Sequence, residues 1–243
     1  KGIGASPGIV IGNIFHYKDE YTSIQEISIS ENDIEKEIER LKTALKKSEL
    51  EITKILQFAK EKLPEHQLRI FDAQILMLKD EYFINGIFMR IKSELKNAEF
   101  ILTDEIRKYQ EILIKTVKDD YLRERAFDVE DVKNRVIRNL NIQNLPSKIA
   151  SSVIIVAKRL SPADTVIFSH NNILGYATDF GGYTSHTAIL SRSLNIPCVV
   201  GLKEITELIS DDSVIILDGY GGNVVINPSE ELIKEYKSKL EKH

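Results

Sequence analysis

The chain has 243 residues, enough for one large domain or two smaller ones, and its 42% hydrophobic and 29% charged residues are the balance of a globular protein. The formal net charge of −4 gives no general attraction to nucleic acid or to anionic membranes, so functions based on either are not expected. A single cysteine, Cys198, excludes an intramolecular disulfide and favours a cytoplasmic setting, and no stretch approaches the ~20 apolar residues of a membrane span.

The sequence begins with a glycine-rich segment in which the β-branched residues 9–11 predict a strand. Gly86 is then the only glycine between Gly12 and Gly175, and so long a glycine-poor stretch predicts helices. In the first helix, apolar residues recur about once per turn, as a buried stripe requires. The stripe consists of Ile34, Ile38, Leu41, Leu45, Ile52, Ile55, Ala59 and Leu63. Pro64 ends this predicted helix.

Further helices are predicted from the same spacing of apolar residues. Their approximate ranges are 70–78, 84–95, 102–113 and 120–140. The second pattern breaks near Asp80, and the acidic pair Asp119 and Asp120 suits the start of the last helix. Together the helices predict an antiparallel bundle or paired helical hairpins.

Short β-branched runs return after the helices, separated by Gly and Asp turns, and they predict strands. These runs are residues 153–156, 174–178, 198–200, 214–217 and 224–226. Residues 185–194 between two of the runs predict a short helix. The alternation of strands and helices is typical of an α/β domain.

The order of these elements predicts two domains. Strands precede the helical segment and resume after it, so the helices are best explained as an insertion. We therefore predict an α/β domain formed by residues 1–25 and 145–243, with an all-α helical bundle of residues 26–144 inserted into it. The chain would cross between the domains near residues 20–30 and 142–150, and such a double linker permits a hinge motion.

The segment with the clearest chemistry follows a predicted strand. Gly181 and Gly182 allow a tight turn and the close approach of a ligand. Thr184 and Ser185 can cap the next helix, which places His186 in its first turn, where unpaired N–H groups and the helix dipole favour an anion. Free imidazole has a pKa of roughly 6.5, so His186 can act as a neutral nucleophile near physiological pH. These residues suit phosphoryl storage and transfer.

Plainer interpretations compete at this point. The glycine pair is also typical of an ordinary turn, with Thr184 or Ser185 as a simple N-cap and His186 as a surface residue. A metal site lacks support, because no other histidine stands at ligand spacing from His186. The isolated histidines are His16, His66, His170 and His243.

Residues 181–192 read Gly-Gly-Tyr-Thr-Ser-His-Thr-Ala-Ile-Leu-Ser-Arg. This order matches the signature Gly-Gly-x-Thr-Ser-His-x-Ala-Ile-x-x-Arg, and the chain thereby resembles the phosphohistidine domain of phosphoenolpyruvate-utilising enzymes. Residues 195–201 also look like that family's continuation. The resemblance implies that the α/β domain is a swivelling phosphohistidine domain and that His186 carries the phosphoryl group. It further implies support of the phosphate by Gly181, Gly182, Thr184, Ser185 and Arg192.

Within that group the chain resembles the amino-terminal half of Enzyme I of the bacterial sugar phosphotransferase system. The similar features are residues 4–9, the inserted helices and residues 120–129, so the resemblance covers essentially the whole chain. Leu-Ser-Pro-Ala-Asp at residues 160–164 is similar to a family segment, commonly Leu-Thr-Pro-Ser-Glu. That segment lies near the phosphorylated histidine and offers it a hydroxyl, a role that the resemblance implies for Ser161.

Two features of the signature depart from the family pattern or leave a role open. Tyr183 stands where Enzyme I sequences often have Arg, so a positive charge that would face the phosphate is missing at this position. Arg192 matches the signature but lies six residues from His186 along a helix. Contact with the phosphate and contact with the protein both stay open for Arg192.

The resemblance to Enzyme I also implies a reaction and partners. Enzyme I takes a phosphoryl group from phosphoenolpyruvate onto its histidine and passes it to a histidine of the small carrier protein HPr. Its phosphoenolpyruvate and Mg²⁺ site belongs to a carboxyl-terminal barrel of about 250 residues, which also supports dimerisation and which we expect to lie outside this sequence. We therefore expect no metal or cofactor in this chain itself, and a monomeric fragment of a homodimeric enzyme.

The carrier is expected on the helical domain, in the segment of residues 71–83. Apolar side chains there, rimmed by the charged residues 79–81, suit a transient interface. The predicted contacts are Phe71, Met77, Leu78 and Phe83. The bundle core is the competing interpretation, and both stay open for each residue separately.

Two alternative functions also stay open. The first is the phosphohistidine domain of a dikinase or of phosphoenolpyruvate synthase, which uses the same histidine chemistry with a nucleotide-binding partner domain. The inserted helices argue against it. The second is a non-catalytic interaction module, whose helices would bind a partner while His186 stays unmodified. A phosphate on His186 would distinguish this module from both enzymes.

Overall fold

The computed structural model describes residues 1–18, 24–116, 120–141 and 152–240, with the side chains among them except those of residues 112–116, 120–127 and 239–240. Two compact units divide the chain. One contains the described parts of Lys1–Glu20, Glu61–Leu63 and Lys148–His243, and the other those of Tyr21–Lys60 and Pro64–Ser147. The predicted crossing near residues 142–150 lies outside the described residues, and the crossing near residues 20–30 lies partly outside them.

The second unit is built from five α-helices in its described part, preceded by a short 3-10 helix at Glu31–Asp33. These are α1 (Ile34–Lys60), α2 (Glu65–Leu78), α3 (Glu81–Glu94), α4 (Ala98–Thr116) and α5 (Asp120–Leu140). Helix α1 packs along α2 and α5, and α4 packs along α5. This arrangement is the helical bundle predicted from the apolar spacing.

Local chemistry sets the boundaries of these helices. Pro64 precedes the first residue of α2 in an extended conformation, and α1 ends at Lys60 rather than reaching Leu63. At the predicted break, the Asp80 carboxylate accepts a hydrogen bond of 3.1 Å from the Phe83 N–H and so caps α3. Leu95 then ends α3 in the left-handed region, with φ of 53°.

The apolar stripe predicted for α1 forms the core of the bundle. Its members within α1 are all buried except Ile34, which is half-buried. Helices α2 to α5 contribute further fully or nearly fully buried side chains to this unit. The largest of them are Phe71, Ile87, Ile91, Ile101, Leu102 and Ile106. The bundle therefore rests on the interlocking of apolar faces rather than on helix propensity alone.

The other unit contains a seven-stranded sheet. Its strands are β1 (Ile3–Ser6), β2 (Ile9–Tyr17), β3 (Ile154–Ala157), β4 (Gly175–Thr178), β5 (Cys198–Val200), β6 (Val214–Asp218) and β7 (Asn223–Ile226). They lie in the order β1-β5-β4-β3-β2-β6-β7. The four central strands are parallel, whereas β1, β6 and β7 are antiparallel to their neighbours.

Helices cover both faces of this sheet. The described helices are α6 (Pro162–His170), α7 (His186–Ser193), α8 (Ile205–Leu208) and α9 (Glu230–Leu240). Phe168 of α6 and Ala188 of α7 pack on one face, and Ile205 of α8 packs on the other. Strand β3 is buried on both sides because its side chains alternate between the two faces. The unit is thus of the mixed α/β class that the sequence predicts.

Two strands differ from the sequence-based expectation. Strand β1 was not expected, and β2 extends to Tyr17 although the β-branched run covers only residues 9–11. Tertiary pairing explains both differences, because β1 pairs with β5, and β2 pairs with β6 in its first half and β3 in its second. The described helices include none long and apolar enough to cross a membrane.

Candidate functional site

The signature segment begins with a tight turn after β4. The Thr178 hydroxyl donates to the carbonyl oxygen of Phe180 at 2.8 Å, and the Phe180 N–H donates to the carbonyl oxygen of Lys158 at 2.9 Å. Gly181 has φ of +129°, a conformation that other residues rarely adopt, and a Cβ atom there would lie 3.3 Å from Ser185 Oγ. A Cβ atom at Gly182 would instead meet nothing within 4 Å. The fold therefore requires the first glycine, while the second keeps the turn open to an approaching group.

His186 is the first residue of α7, and Ser185 is the N-cap. The Ser185 hydroxyl accepts from the Ala188 N–H at 3.4 Å and donates to the Gly182 carbonyl oxygen at 2.8 Å. The Ile189 N–H donates to the Ser185 carbonyl oxygen. The Ser185 N–H donates to the Gly182 carbonyl oxygen at 3.1 Å. The half-buried His186 thus lies in the first turn of α7, at the positive end of the helix dipole.

Ser161 is the N-cap of α6, which packs beside α7. Its hydroxyl accepts from the Asp164 N–H at 3.0 Å, and the Asp164 carboxylate accepts from the Ser161 N–H, which completes a capping box. The Thr187 hydroxyl donates to the carbonyl oxygen of Leu160 at 3.1 Å. This bond joins the residue after His186 to the residue before Ser161. The structure therefore brings the starts of α6 and α7 together, as the similar family segment implies.

Arg192, for which two roles stayed open, contacts the protein. Its Nη1 donates to the carbonyl oxygens of Ala5 at 2.8 Å and Tyr183 at 3.0 Å. Its guanidinium carbon lies 4.3 Å from the centre of the Tyr183 ring, within the range of a cation–π interaction. Arg192 therefore ties the signature turn to β1, and Tyr183, which replaces the family's Arg, is the ring on which it rests.

Thr184 differs from the other hydroxyl residues of the segment. Its side chain is exposed, and none of the described residues hydrogen-bonds to it. The hydroxyls of Ser185 and Ser161 already serve as helix caps. Thr184 therefore has the hydroxyl that can turn to an incoming anion without giving up a structural bond.

Arg159, which lies outside the signature, is also at this turn. Its guanidinium carbon is 5.9 Å from the centre of the Phe180 ring, and Phe180 is half-exposed directly before Gly181. In the sequence, only its position two residues before Ser161 indicated that Arg159 lies near the site. That spacing does not indicate the direction in which its side chain points. In the part of the chain that the structure describes, no group of three or more His, Cys, Asp or Glu side chains could hold a metal ion.

Cys198 lies in β5 behind the site and is fully buried. Burial raises the pKa of its thiol to about 12, despite a hydrogen bond with Ser191 that acts in the opposite direction. A thiol that stays protonated is a poor nucleophile. We expect a thiol-alkylating reagent at pH 8 to leave the folded chain unmodified and to modify it in denaturant, with mass spectrometry as the measurement. Rapid labelling of the folded chain would contradict this burial.

The segment predicted to bind the carrier is divided between core and surface. Phe71 is 0% and Leu78 5% exposed, which corrects the prediction of partner contacts for them, because side chains buried in the bundle offer no surface. Met77 and Phe83 are half-buried and line a cavity of about 440 Å³ between α2, the start of α3, α4 and α5. Leu76 beside them is 69% exposed, although it was not among the predicted contacts.

Comparison with known proteins gives two matches to family models. Residues 1–125 match the model described as PEP-utilising enzyme, N-terminal, and residues 149–222 match PEP-utilising enzyme, mobile domain. The second match contains the signature turn, His186 and Arg192. The first match covers just over half of the chain.

Curated relatives agree with these family models. The chain is 38% identical over 242 residues to proteins named phosphoenolpyruvate-protein phosphotransferase from Priestia megaterium and from Bacillus subtilis (strain 168), covering 98% of this chain but 42% of each relative. The chain thus spans less than half the length of these curated relatives.

Among solved structures, an NMR structure described as Enzyme I (nEIt) matches with a TM-score of 0.83 and 38% identity, over 100% of this chain and 98% of that one. A structure described as the N-terminal domain of Enzyme 1 - Nitrogen matches with a TM-score of 0.66 and 25% identity. It covers 99% of both chains. The chain therefore belongs to the PEP-utilising enzymes, and its full-length match confirms the resemblance to the amino-terminal part of Enzyme I.

Proposed function

We propose that this chain carries a phosphoryl group on His186 and exchanges it with the carrier protein HPr, as part of a phosphoenolpyruvate-protein phosphotransferase in bacterial sugar uptake. The position of His186 as the first residue of α7 carries the proposal, because the amides of the helix start lie beside an imidazole nucleophile. The names of the relatives support the same activity. We further propose a cytoplasmic setting, as the single cysteine favours.

The transfer step is a displacement at phosphorus. The lone pair of a neutral ring nitrogen of His186 forms a phosphorus–nitrogen bond, while the phosphorus–nitrogen bond to the carrier histidine breaks. The bonding electron pair returns to the carrier imidazole, so no oxidant or other reactant is needed. The helix-start amides and the Thr184 hydroxyl are suited to the phosphoryl oxygens. Because similar bonds break and form, the exchange is expected to be reversible.

Residues of the helical unit are proposed as the docking surface for the carrier. Met77 and Phe83 supply apolar area at the cavity between α2, the start of α3, α4 and α5, and Asp80 lines the same cavity. Apolar centres with charged rims are typical of transient interfaces. Leu76, which is largely exposed on α2, is added to the contacts proposed from sequence.

Charge reversal at the rim of this surface tests the docking proposal. Glu81→Lys, at the exposed start of α3, is expected to slow association with phosphorylated HPr several-fold with little change in maximal transfer rate, because rim charges mainly tune the encounter. Transfer rates measured in quenched reactions at several carrier concentrations separate the association rate from the maximal transfer rate. Glu231→Lys in α9 reverses an exposed charge in the other unit and serves as the control. Equal effects of both variants would remove the case for docking near Phe83.

The source of the phosphoryl group gives a further prediction. Phosphoenolpyruvate needs a metal ion and cationic groups to bind its phosphate and carboxylate, and the described residues hold no acidic cluster that could take Mg²⁺. We expect phosphorylated HPr to label the chain, and phosphoenolpyruvate with Mg²⁺ to leave it unlabelled. Labelled phosphate from each donor is the measurement. Labelling by phosphoenolpyruvate alone would place the donor site within these residues.

The two alternative functions predict different outcomes. A dikinase phosphohistidine domain would accept phosphate from a nucleotide-binding domain rather than from HPr. The match of the whole chain to Enzyme I fragments, including the helical unit, does not favour that alternative. A non-catalytic interaction module would show no phosphate on His186 in mass spectra recorded at neutral or basic pH.

A further inference from the structure

The segment that follows β5, residues 201–206, packs against the signature turn. The Lys203 N–H donates to the carbonyl oxygen of Asp179 at 2.9 Å. A Cβ atom at Gly201 would lie 3.1 Å from the carbonyl oxygen of Gly181, so the two backbones are in close contact there. These contacts place the segment after β5 against the residues that lead from β4 into the turn.

Asp179, the residue directly after β4, also binds this segment through its side chain. Its carboxylate accepts a hydrogen bond from the Thr206 hydroxyl at 2.5 Å and another from the Thr206 N–H at 3.4 Å. Asp179 is 3% exposed and Thr206 is 7% exposed. Among the described residues, Thr206 supplies both side-chain hydrogen bonds of Asp179. A buried carboxylate needs such donors, so this contact fixes the position of Asp179.

The short turn transmits the position of Asp179 to His186. Gly181 lies so close to the N-cap of α7 that a Cβ atom on it would be 3.3 Å from Ser185 Oγ. Ser185 in turn directly precedes His186. A shift of Asp179 would therefore displace the turn and the N-cap together. Such displacements matter for group transfer, because a misplacement of about 1 Å can reduce a rate by about 100-fold.

We infer that Asp179 and Thr206 are positioning residues for phosphoryl transfer through His186, an inference that rests on the proposed function. Both lie outside residues 181–192, which carry the signature. Their hydrogen bonds hold the entry of the turn against the segment after β5. The turn then keeps His186 in the orientation that an in-line displacement at phosphorus needs.

Thr206→Val tests this inference, because valine keeps the shape of the side chain and lacks the hydroxyl. We expect the maximal rate of transfer from phosphorylated HPr to the whole chain to fall roughly tenfold. The carrier concentration that gives half the maximal rate should change less than about twofold, because docking is proposed on the helical unit. Thr206→Ser restores the hydroxyl and should transfer within about twofold of the wild-type rate.

Hydrogen exchange of the unphosphorylated chain measures the same contact without any transfer. The N–H groups of Phe180 and Lys203 make hydrogen bonds at the turn, and they should exchange roughly tenfold faster in Thr206→Val. The N–H groups of β3 should keep their wild-type exchange rates, because this strand is buried on both sides. Equal acceleration in β3 would show a general loss of stability and would overturn the inference.

Ser213→Ala is the matched control. Ser213 is 1% exposed, and its hydroxyl accepts from the Ser210 N–H at 2.9 Å. It precedes β6, which lies three strands away from β4 in the sheet. This variant therefore loses a buried hydroxyl of the same unit, and its maximal transfer rate should stay within about twofold of wild type.

Asp179→Asn tests the same contact from the other side, and it decides the question if Thr206→Val melts below the assay temperature. The amide cannot accept the Thr206 hydroxyl and N–H through two carboxylate oxygens, so we expect slower transfer here as well. Unchanged maximal rates in both variants, or an equal loss in Ser213→Ala, would overturn the inference. A wild-type chain that phosphorylated HPr does not label would overturn the proposed function instead.

Discussion

His186→Ala is expected to abolish phosphoryl acceptance from HPr completely, because the imidazole proposed to form the phosphorus–nitrogen bond is removed. The fold should survive, since His186 is half-buried at the start of α7 and the Ser185 cap does not depend on it. We expect a stability change within about 0.5 kcal/mol, as for most surface substitutions. Labelled phosphate transfer and thermal melting followed by circular dichroism measure the two quantities.

The control for this variant is His170→Ala, which removes an exposed histidine at the end of α6 in the same unit. It should accept phosphate as the wild type does. The wild-type phosphate should be lost in acid and kept in base, because a phosphorus–nitrogen bond is acid-labile whereas a serine or threonine ester is not. Label retained in His186→Ala would overturn the assignment to His186, and acid-stable label would move the modification to Thr184 or Ser185.

Arg40→Met is expected to have the largest effect on the stability of the helical unit. Arg40 on α1 donates to both carboxylate oxygens of Glu99 on α4, at 2.8 and 2.7 Å, and to Glu37 at 2.7 Å. Glu99 is only 8% exposed, so removal of Arg40 leaves a buried carboxylate with Asn97 as its remaining side-chain donor. The expected loss is about 2–3 kcal/mol, below that of a fully buried pair because Arg40 is itself partly exposed. Denaturant unfolding followed by circular dichroism measures it.

The pH dependence of this stability loss tests whether the Glu99 carboxylate causes it. Burial acts to raise the pKa of Glu99, but the hydrogen bonds and charge of Arg40 outweigh it and hold that pKa below its usual value. A depressed carboxylate pKa stabilises the folded state above the unfolded-state pKa of roughly 4.3, and this stability is lost as the pH falls through the folded-state pKa. Without Arg40, burial raises the pKa of Glu99 instead. The stability difference between wild type and Arg40→Met should therefore shrink from pH 7 to pH 4.

Lys92→Met provides the matched control for this prediction. Lys92 and Glu35 form an ion pair of 3.4 Å in which both side chains are more than half exposed. Exposed pairs contribute little, so this variant should stay within about 0.5 kcal/mol of wild type at both pH values. An equally large loss in Lys92→Met, or a difference for Arg40→Met that grows in acid, would contradict the role assigned to the Arg40 and Glu99 pair.

Much of the architecture follows from patterns that are local in sequence. The stripe from Ile38 to Leu63 has helical spacing, so burial of one face was expected before any contact was known. The Asp80 cap of α3 and the turn at Gly181 also depend only on residues that are close in sequence. Strand β1 could not be found in this way, since its pairing with β5 joins residues about 195 positions apart.

The sequence by itself determined the fold class and the chemistry that we propose for His186, because the signature places an imidazole, its cap and its glycine turn within a few residues of one another. Only the tertiary structure decided the roles of the charged and apolar residues around it. Arg192 bonds to Ala5, and Arg159 lies over Phe180. Phe71 and Leu78 face the bundle core. These contacts depend on how distant segments pack, and the spacing of residues along the chain does not specify that packing.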